Sequence, residues 1–373
     1  MKKICYIATI PAVVNSFLRP HIQAAADKYE VVVICNSVDK YLLEGINARF
    51  IFLPIERKPS IFRDIEILIS LINIFKREKF NIVHSHMPKT GFLGMFAAWL
   101  VCVPMRINTF HGEVWATKNG WKRYALKSFD RLICFFSTDL LLVSGSQFLF
   151  LLREGVVPVH KAKLIGSGSV CGVDLTRFKK DDVACASVRN ELGISSESKV
   201  ILFMGRLNHE KGILELVDVF CKIINKGFDA QLLIVGSEED ITYEKVRYSS
   251  GSASGRLHYV NFTTRAERYM AAADILCLPS RREGFGMVII EAAACCVPAV
   301  ASRIYGITDA VDDGKTGLLY KVDNNLDLES SLLKLILDNN LRKDMGFKAR
   351  QRVETFFSEK LITKELINFY DSI

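Results

Sequence analysis

Two glutamates and two glycines stand close together in the segment EGFGMVIIE. Glu283 opens a loop that contains Gly284 and Gly286, and Glu291 follows inside an otherwise apolar stretch. Glycines let a backbone come close to a ligand, and carboxylates accept hydrogen bonds from hydroxyl groups. The pattern suits a ligand with a sugar at one end, a diphosphate in the middle and a ribose at the other end. The alternative is a surface loop followed by a helix with one solvated glutamate.

Two cations form a second group of candidate residues. Arg206 and Lys211 follow the apolar run Ile201–Met204 in the sequence GRLNHEKG. The planar guanidinium of Arg206 can bind two diphosphate oxygens, and the ammonium group of Lys211 can act as a point charge. Alone, this pattern is equally typical of a solvated helix start. Together with the glutamate loop it predicts a site for a nucleotide diphosphate.

Three histidines are the candidates in the first half of the chain. His111 follows the predicted strand Arg106–Phe110, and the glycine after it leaves room for a ligand; the alternative is a histidine that caps a strand end. His84 and His86 alternate onto one face of another strand and could act as a metal pair. Because no third ligand is evident, the sequence favours hydrogen bonding and packing on the acceptor side for these two.

The elements that must position these residues alternate between strands and helices. The pattern predicts strands at Ile4–Thr9, Val31–Cys35, Arg49–Leu53, Ile82–Ser85, Arg106–Phe110 and Leu140–Val143, and then at Val200–Met204, Leu232–Val235, His258–Val260, Ile275–Leu278 and Ala299–Ala301. Such alternation indicates parallel sheets covered by helices. A helix over Met287–Cys295 would then begin at the carboxyl end of a strand, where α/β folds bind ligands and helix dipoles favour anions.

The length of 373 residues predicts more than one domain. The irregular segment that begins at Gly166 suits an interdomain connection. We therefore expect an N-terminal domain over 1–172, a second domain over 173–355 and a C-terminal helix within 356–373.

The loop after the first strand has no glycine-rich turn. Its sequence, Ile10–Ser16, argues against a dinucleotide dehydrogenase, which needs G-x-G-x-x-G at that turn. Asn15 and Ser16 are instead candidates for lining an acceptor site.

Charge is distributed unevenly along the chain. Residues 1–175 contain 22 Lys or Arg and 13 Asp or Glu, a net charge of +9, and the remainder contains 27 and 28, a net charge of −1, which together give +8. A basic half suits anionic lipids, a lipid diphosphate or nucleic acid. No nucleic-acid-binding motif accompanies the charge, so we expect no nucleic acid partner. The segment Lys118–Lys127, with cations beside Trp121 and Tyr124, suits an interfacial helix; an ordinary amphipathic surface helix is the alternative.

The ten cysteines and the N-terminus indicate a cytoplasmic protein. No C-x-x-C spacing occurs, which favours reduced thiols over a disulfide framework. MKKICYIATIPAVV has no small-residue cleavage site of the kind that ends a signal peptide. The longest apolar run, about fourteen residues, is too short to span a bilayer. We expect a cytoplasmic location, with peripheral contact at the inner face of the membrane.

The motifs EGFGMVIIEA and GRLNHEKG together resemble those of the retaining family 4 glycosyltransferases of the GT-B fold. The resemblance implies an α/β architecture of two Rossmann-like domains that face each other across a cleft. It implies that Glu283 and His111 are catalytic, and that the donor is bound by Arg206, Lys211, Gly284, Phe285, Gly286 and Glu291. On the acceptor side we place Asn15, Ser16 and His86. Cys296 stands where the family usually has glycine, so we expect a differently built helix end there.

The resemblance also implies an activity, namely retaining transfer of a hexose or N-acetylhexosamine. The donor is a nucleotide-sugar, for which we expect UDP and keep GDP as the alternative, and the acceptor is a lipid-linked saccharide in O-antigen or capsule synthesis. No Asp-x-Asp pair occurs in the sequence, so we expect neither a metal nor another cofactor. The alternatives are a sugar-nucleotide epimerase or phosphorylase of the same fold, and a non-catalytic sugar-nucleotide-binding subunit.

Overall fold

The computed structural model of the chain describes residues 1–37, 44–56 and 60–372. These residues form two compact units. The first domain consists of Met1–Gly172 together with Glu359–Ile373, and the second domain consists of Val173–Ser358.

The first domain is built on a parallel sheet of seven strands in the order β3-β2-β1-β4-β5-β6-β7. The strands are β1 (Lys3–Ile7), β2 (Glu30–Cys35), β3 (Arg49–Phe52), β4 (Ile82–His86), β5 (Met105–Phe110), β6 (Asp139–Leu142) and β7 (Ala162–Leu164). The central strands are almost wholly buried, because helices cover both faces of the sheet. The short edge strand β7 was missed in the sequence.

Helices form a layer on each face of this sheet. They are α1 (Pro11–Val13), α2 (Arg19–Ala26), α3 (Ile61–Glu78), α4 (Pro88–Leu100), α5 (Gly120–Phe136) and α6 (Gly145–Arg153). One apolar core joins the sheet to α3, α4 and α5, and a second core joins its other face to α1 and α2.

The chain becomes helical directly after β1, at Pro11. Most of Ile10–Ser16, for which the sequence indicates a loop, is therefore helical. Proline is well suited to the first position of a helix because its missing N–H has no partner there anyway. A π-helical turn, Val14–Leu18, follows, and Val14 and Leu18 are buried in the core. Because this segment has apolar residues in place of a glycine-rich turn, burial of their side chains favours a helix here.

The second domain contains a parallel sheet of six strands in the order β10-β9-β8-β11-β12-β13. The strands are β8 (Lys199–Met204), β9 (Ala230–Val235), β10 (Leu257–Val260), β11 (Ile275–Leu278), β12 (Ala299–Ser302) and β13 (Gly317–Tyr320). The helices are α7 (Asp182–Glu191), α8 (Ile213–Asn225), α9 (Tyr243–Ser249), α10 (Ala266–Ala271), α11 (Met287–Ala294), α12 (Ile307–Ala310), α13 (Asn325–Leu337) and α14 (Asn339–Phe356). Two parallel sheets with Rossmann-like order confirm the predicted α/β fold class.

Helix α11 ends in a Schellman motif. The N–H of Cys296 donates to the carbonyl of Ala293, and the N–H of Val297 donates to the carbonyl of Ala292. Cys296 has a φ of 61°, in the left-handed region that glycine favours. The expectation of a differently built helix end is therefore wrong, because a cysteine here adopts the conformation that glycine would adopt.

The chain returns to the first domain in its last helix, α15 (Glu359–Asp371). Leu366, Ile367 and Tyr370 are buried in the core that also contains α2. Polar contacts fix the helix further, since His21 Nδ1 lies 3.0 Å from Thr363 Oγ1 and Tyr29 donates to Asp371 at 2.7 Å. The core of the first domain is thus completed by residues from the far end of the chain.

Candidate functional site

The predicted donor-binding residues lie at the point where the strand order of the second domain reverses. From β8 the chain runs outward to β9 and β10, and then returns to β11 on the other side of β8. The loops after β8 and β11 therefore leave neighbouring carboxyl ends of the sheet. In open α/β sheets this switch point is the usual place for a ligand.

The loop after β8 is held by capping and by a close backbone approach. Asn208 caps the short 3₁₀ turn His209–Lys211 by accepting from the N–H of Lys211 at 2.8 Å. Gly212 has a φ of 73°, and a Cβ there would lie 2.2 Å from the carbonyl oxygen of Pro279. Only glycine fits between the two loops at this point, so Lys211 has a fixed backbone position.

Lys211 and Glu283 form an ion pair with each other. Glu283 Oε1 also accepts a hydrogen bond from Ser280 Oγ at 2.8 Å. Both charged side chains are mostly buried, with 21% of Lys211 and 13% of Glu283 exposed. The structure therefore brings together Lys211, which is predicted to bind the diphosphate, and Glu283, which is predicted to be catalytic, although they are 72 positions apart in the sequence.

Two further ion pairs tie the same loops together. Arg281 contacts Glu215 at 2.7 Å, and Arg282 pairs with Glu210. The N–H of Arg281 also donates to the carbonyl of Glu210 at 2.8 Å. The arginines of SRREG were not singled out in the sequence, and they act as links between the loops.

Arg206 points away from this pair toward the loop after β9. It forms an ion pair with Glu239, whose other oxygen accepts from Asn208 Nδ2 at 2.6 Å. About 40% of the Arg206 side chain is exposed. An exposed ion pair contributes little stability, so this guanidinium can exchange Glu239 for a ligand anion at small cost.

The glycine loop leads into α11. Gly286 precedes the helix with a φ of 79°, and the N-terminus of the helix favours negative charge. A Cβ on Gly306 would lie 2.6 Å from the carbonyl oxygen of Gly284, so the segment after β12 packs tightly on this loop. Phe285 is buried and its ring lies 5.2 Å from that of Phe357. The side chain of Phe285 is therefore part of the core. If Phe285 contacts the donor as predicted, the contact is through its backbone.

Glu291 differs from the other carboxylates of the second domain. Within the described ranges it has no hydrogen-bond or ion-pair partner, and burial raises its pKa to about 7. The nearby charges are those of Arg177, which lowers this pKa, and Glu267, which raises it. A half-buried carboxyl group with a perturbed pKa and no partner is typical of a ligand site.

The three candidate histidines of the first domain form a connected row. His84 Nδ1 lies 2.6 Å from the hydroxyl of Tyr370, and its Nε2 lies 2.7 Å from Thr109 Oγ1. His86 Nδ1 lies 3.1 Å from His111 Nε2. Both nitrogens of His84 are used in hydrogen bonds, which agrees with the preference for packing over metal binding at this pair.

Two buried acidic side chains, Glu113 and Asp130, hold the loop that carries His111 in place through hydrogen bonds. Glu113 accepts from Gln147 Nε2 at 2.8 Å, and Asp130 accepts from the indole N–H of Trp115 at 2.7 Å. Burial raises the pKa of Asp130 to about 6. Both acids were missed in the sequence.

A cavity of about 90 Å³ lies beside this loop. It is lined by Met87, Pro88, Asn108, Thr109, Phe110, His111, Gly112, Glu113, Val114, Trp115, Leu126, Phe129, Asp130 and Ile133. Nine of the fourteen lining residues are apolar or glycine, and the five polar ones are Asn108, Thr109, His111, Glu113 and Asp130.

Asn15 and Ser16 lie in the π-helical turn after β1. The next residue, Phe17, has its ring 6.3 Å from that of His111. Asn15 accepts from Arg19 at 2.8 Å, and Ser16 is exposed. The turn that contains these two residues therefore lies near His111. π-helical turns are frequent at functional sites.

Helix α5 has an unusually apolar outer face. Trp121 is 76% exposed and Tyr124 is 70% exposed. Further along the helix, Leu132 and Phe135 are also exposed. None of the helices in the described ranges combines the length and the apolar character that crossing a bilayer requires.

The described ranges contain no group of three His, Cys, Asp or Glu side chains that could hold a metal ion. All ten cysteines are free thiols.

Comparisons with known families match both halves of the chain. Residues 186–352 match the family described as "Glycosyl transferases group 1". Residues 21–145 match "Glycosyltransferase Family 4".

Three similar proteins have assigned names. The "Capsular polysaccharide biosynthesis glycosyltransferase CapM" of Staphylococcus aureus is 29% identical over 100% of this chain and 97% of its own length. The "UDP-Gal:alpha-D-GlcNAc-diphosphoundecaprenol alpha-1,3-galactosyltransferase" of Escherichia coli is 27% identical over 89% and 86%. The "D-inositol 3-phosphate glycosyltransferase" of Corynebacterium jeikeium is 32% identical over 74% and 69%.

A solved structure has the same fold. The Anabaena protein HepE, crystallised with UDP-glucose, superposes with a TM-score of 0.83 over 100% of both chains, at 17% identity. This likeness supports the architecture of two Rossmann-like halves.

Proposed function

Because this chain belongs to the group 1 glycosyltransferases, with the GT-B fold, we propose that it is a retaining family 4 enzyme of capsule or O-antigen synthesis. It moves a hexose or N-acetylhexosamine from a nucleotide-sugar to a polyprenyl-diphosphate-linked saccharide, without a metal. The observation that carries this proposal is the meeting of Lys211 and Glu283 at the switch point of the second domain.

The residues of the second domain suit the donor. Arg206 and Lys211 are the cations that would stabilise the diphosphate as the bond between the anomeric carbon and its phosphate oxygen breaks. Once Lys211 turns to the phosphates, Glu283 is released to accept from a sugar hydroxyl. Glu291, which has no partner in the described ranges, takes the ribose hydroxyls.

The acceptor completes the reaction. Its hydroxyl oxygen attacks the anomeric carbon from the face that the nucleotide leaves, and its proton passes to the departing phosphate oxygen. We place the acceptor in the first domain, at His111, with Asn15 and Ser16 near it; His86 is buried and contacts His111, so the expected acceptor-side position of His86 is wrong. The name of the E. coli relative specifies UDP-galactose and a diphosphoundecaprenol-linked acceptor, which supports a UDP-sugar and a lipid-linked saccharide here.

Donor binding is the first test. We expect one nucleotide class, UDP-sugars first and GDP-sugars second, to raise the melting temperature of the protein in EDTA. At a ligand concentration of 100 Kd the native state gains about 2.7 kcal/mol. A shift that appears only when Mg²⁺ or Mn²⁺ is added would contradict metal independence.

Two substitutions in the site and one control substitution elsewhere test the site assignment. Lys211→Ala and Glu283→Ala should each abolish sugar transfer while the fold persists. Lys222→Ala removes an exposed lysine that also pairs with an acid, Asp218, and should leave transfer unchanged. Near-wild-type transfer by either site variant would refute the assignment. Release of free sugar or of an epimer without any acceptor would instead support the epimerase alternative.

We also propose that the outer face of α5 contacts the inner leaflet of the membrane. Trp121 and Tyr124 are largely exposed, and Lys118 and Lys122 stand beside them. Aromatic side chains partition to the membrane interface, and each nearby cation adds about 1 kcal/mol of attraction to anionic lipid. This location would bring the first domain to a lipid-linked acceptor.

Vesicle co-sedimentation tests this contact. The protein should bind vesicles that contain phosphatidylglycerol more strongly than vesicles of phosphatidylcholine alone, and Trp121→Ser should weaken that binding about tenfold. Tyr248→Ser, which removes a 90% exposed aromatic from the second domain, is the control and should have no effect. Equal binding by the wild type and Trp121→Ser would place the membrane contact elsewhere.

A further inference from the structure

The contact between His86 and His111 raises the question of which ring nitrogens carry the protons. His86 lies at the end of β4, and His111 follows the neighbouring strand β5. Their ring centroids are 5.3 Å apart, and His86 Nδ1 lies 3.1 Å from His111 Nε2. On its other side, the ring of His86 lies 4.2 Å from that of His84.

All these rings are neutral near pH 7. Burial lowers the pKa of His111 to about 4 and holds the pKa of His84 and of His86 well below its usual range. A neutral imidazole has one N–H donor and one bare nitrogen acceptor. The hydrogen bond between His86 and His111 therefore contains a single proton, which belongs to one ring or the other.

The burial of His86 decides between the two arrangements. The side chain is 3% exposed, and its Nε2 is buried with no hydrogen-bond partner in the described part of the chain. If the proton of His86 were on Nε2, a buried N–H donor would have no acceptor. If the proton is on Nδ1, the atom without a partner is a bare acceptor. Buried N–H groups without a partner are rarer than under-satisfied acceptors, so the proton belongs on Nδ1.

We propose that His86 is a positioning residue whose Nδ1–H donates to Nε2 of His111, so that His111 carries its own proton on Nδ1 and meets the substrate as a hydrogen-bond donor. The acceptor of this bond would be an oxygen of the sugar substrate. With Nε2 occupied and Nδ1 protonated, His111 has no lone pair free to remove a proton. His111 then binds and orients the substrate and does not act as a general base.

The row of contacts behind His86 supports this role. His84 packs on His86, and its two nitrogens contact Thr109 and Tyr370. The latter residue belongs to α15, so the ring of His86 is held between His111 and a hydrogen-bonded neighbour. This arrangement restrains the orientation of His86, as a positioning residue requires.

Ring ¹⁵N chemical shifts measured on the whole protein test the tautomer directly. In wild-type protein we expect Nδ1 of His111 to have the shift of a protonated nitrogen, with the signal assigned by its loss in His111→Asn. A protonated Nε2 on His111 would overturn the proposal. This measurement needs no substrate, so its result is independent of the proposed function.

Two amide substitutions at position 86 provide the matched comparison. The side-chain nitrogen of asparagine lies near the Nδ1 position of histidine, and that of glutamine lies near Nε2. His86→Asn should therefore preserve the Nδ1–H tautomer of His111 and stay within threefold of wild-type kcat/KM, whereas His86→Gln should lose the tautomer preference and about tenfold in kcat/KM. His258→Gln, a histidine substitution in the second domain, is the control and should retain full activity.

The outcomes separate the two proposals. The role of His111 rests on the proposed transferase function, and the tautomer does not. Equal activity of His86→Asn and His86→Gln, with both proteins folded by thermal denaturation, would overturn the positioning role. If the tautomer is as expected but no nucleotide-sugar is turned over by the wild type, the proposed function fails and the tautomer assignment stands.

Discussion

The candidate residues of the two domains hold their polar groups in opposite ways. In the first domain, His84, His86 and Tyr370 are buried; the histidines are neutral, His84 is hydrogen-bonded to Tyr370, and His86 is hydrogen-bonded to His111. In the second domain, Arg206 and Lys211 are charged and paired with acids, and about 40% of Arg206 is exposed whereas Lys211 is mostly buried. The first arrangement resists change, and the second can exchange one ionic partner for another.

This difference suits two kinds of ligand. A diphosphate brings charge, so a site for it needs cations whose present partners can be replaced at small cost. A sugar hydroxyl brings only hydrogen bonds, so a site for it benefits from donors and acceptors that are already oriented. We therefore expect substitutions in the second domain to affect mainly activity, and those in the first domain to affect mainly stability.

Arg206→Ala tests the exposed ion pair of the second domain and should greatly reduce activity with little loss of stability. We expect kcat/KM for the nucleotide-sugar to fall about 100- to 1,000-fold, because one cation is lost from the leaving diphosphate. The free energy of unfolding should change by less than about 1 kcal/mol, since its ion pair with Glu239 is exposed. Steady-state kinetics and urea denaturation measure the two quantities. A large loss of stability would remove the contrast between the domains.

Acidification should unfold the first domain before the second. Burial lowers the pKa of His21 and His111 to about 4 and holds the pKa of His84 and of His86 well below its ordinary value. Below the unfolded value of about 6.5 the unfolded chain binds more protons, so stability falls as pH falls, by roughly 1–2 kcal/mol per histidine between pH 7 and pH 5. In the second domain, the raised pKa of Glu291, about 7, has the opposite sign, because its contribution is present at low pH and is lost as pH rises toward 7.

Tryptophan fluorescence can separate the two domains in this experiment. All three tryptophans, Trp99, Trp115 and Trp121, belong to the first domain. Between pH 7 and pH 5, we expect the melting temperature of the first domain, measured by fluorescence, to fall more than the melting temperature of the second domain. The latter is measured by hydrogen exchange in the strands of the second domain. Equal shifts would show that the buried histidines do not set the acid sensitivity.

Tyr370→Phe tests the hydrogen bonds of the buried, neutral histidines by removing a single hydroxyl group. The variant removes the hydroxyl 2.6 Å from His84 Nδ1 and leaves a buried nitrogen without that partner. We expect a loss of about 1–3 kcal/mol in the free energy of unfolding, with nucleotide binding by the second domain unchanged. Denaturant titration and a nucleotide-binding isotherm provide the measurements. Tyr248→Phe, at an exposed position of the second domain, is the control.

Cys296→Gly should give the smallest effect, and it lies in the second domain away from the ion pairs. The left-handed conformation at this helix end is strained for cysteine and free of strain for glycine. Part of the gain is offset by the greater freedom of glycine in the unfolded chain. We expect the free energy of unfolding to rise by about 0.5 kcal/mol, measured by thermal denaturation. A lower melting temperature would mean that the buried part of the thiol contributes more than the strain costs.

Much of the fold was predictable from the sequence because it depends on local patterns. Central strands such as Ile275–Leu278 are continuous apolar runs, and the structure places them where the sequence predicted. The edge strands β7 and β13 lack such a run, because β7 is three residues that are all partly or fully exposed and β13 begins with a glycine. The helix from Pro11 was missed because the buried positions Val14 and Leu18 form a π-helical turn.

The candidate site was predictable in its residue types and not in its pairings. Motif resemblance pointed to Lys211 and Glu283 separately, but their ion pair depends on β8 and β11 being neighbours in the sheet. The contact between His86 and His111 likewise depends on the register of β4 and β5. Close approaches such as that of Gly306 to Gly284 join segments that no local pattern relates.

The position of α15 in the first domain has a consequence for synthesis in the cell. The ribosome makes most of the first domain before residues 173–358 and makes α15 only after them. At about 5–20 residues per second, the intervening segment takes roughly 10 to 40 s to translate. During that time the apolar residues of α2 that pack on α15 lack this cover, so the first domain cannot complete its core until its last helix has been made.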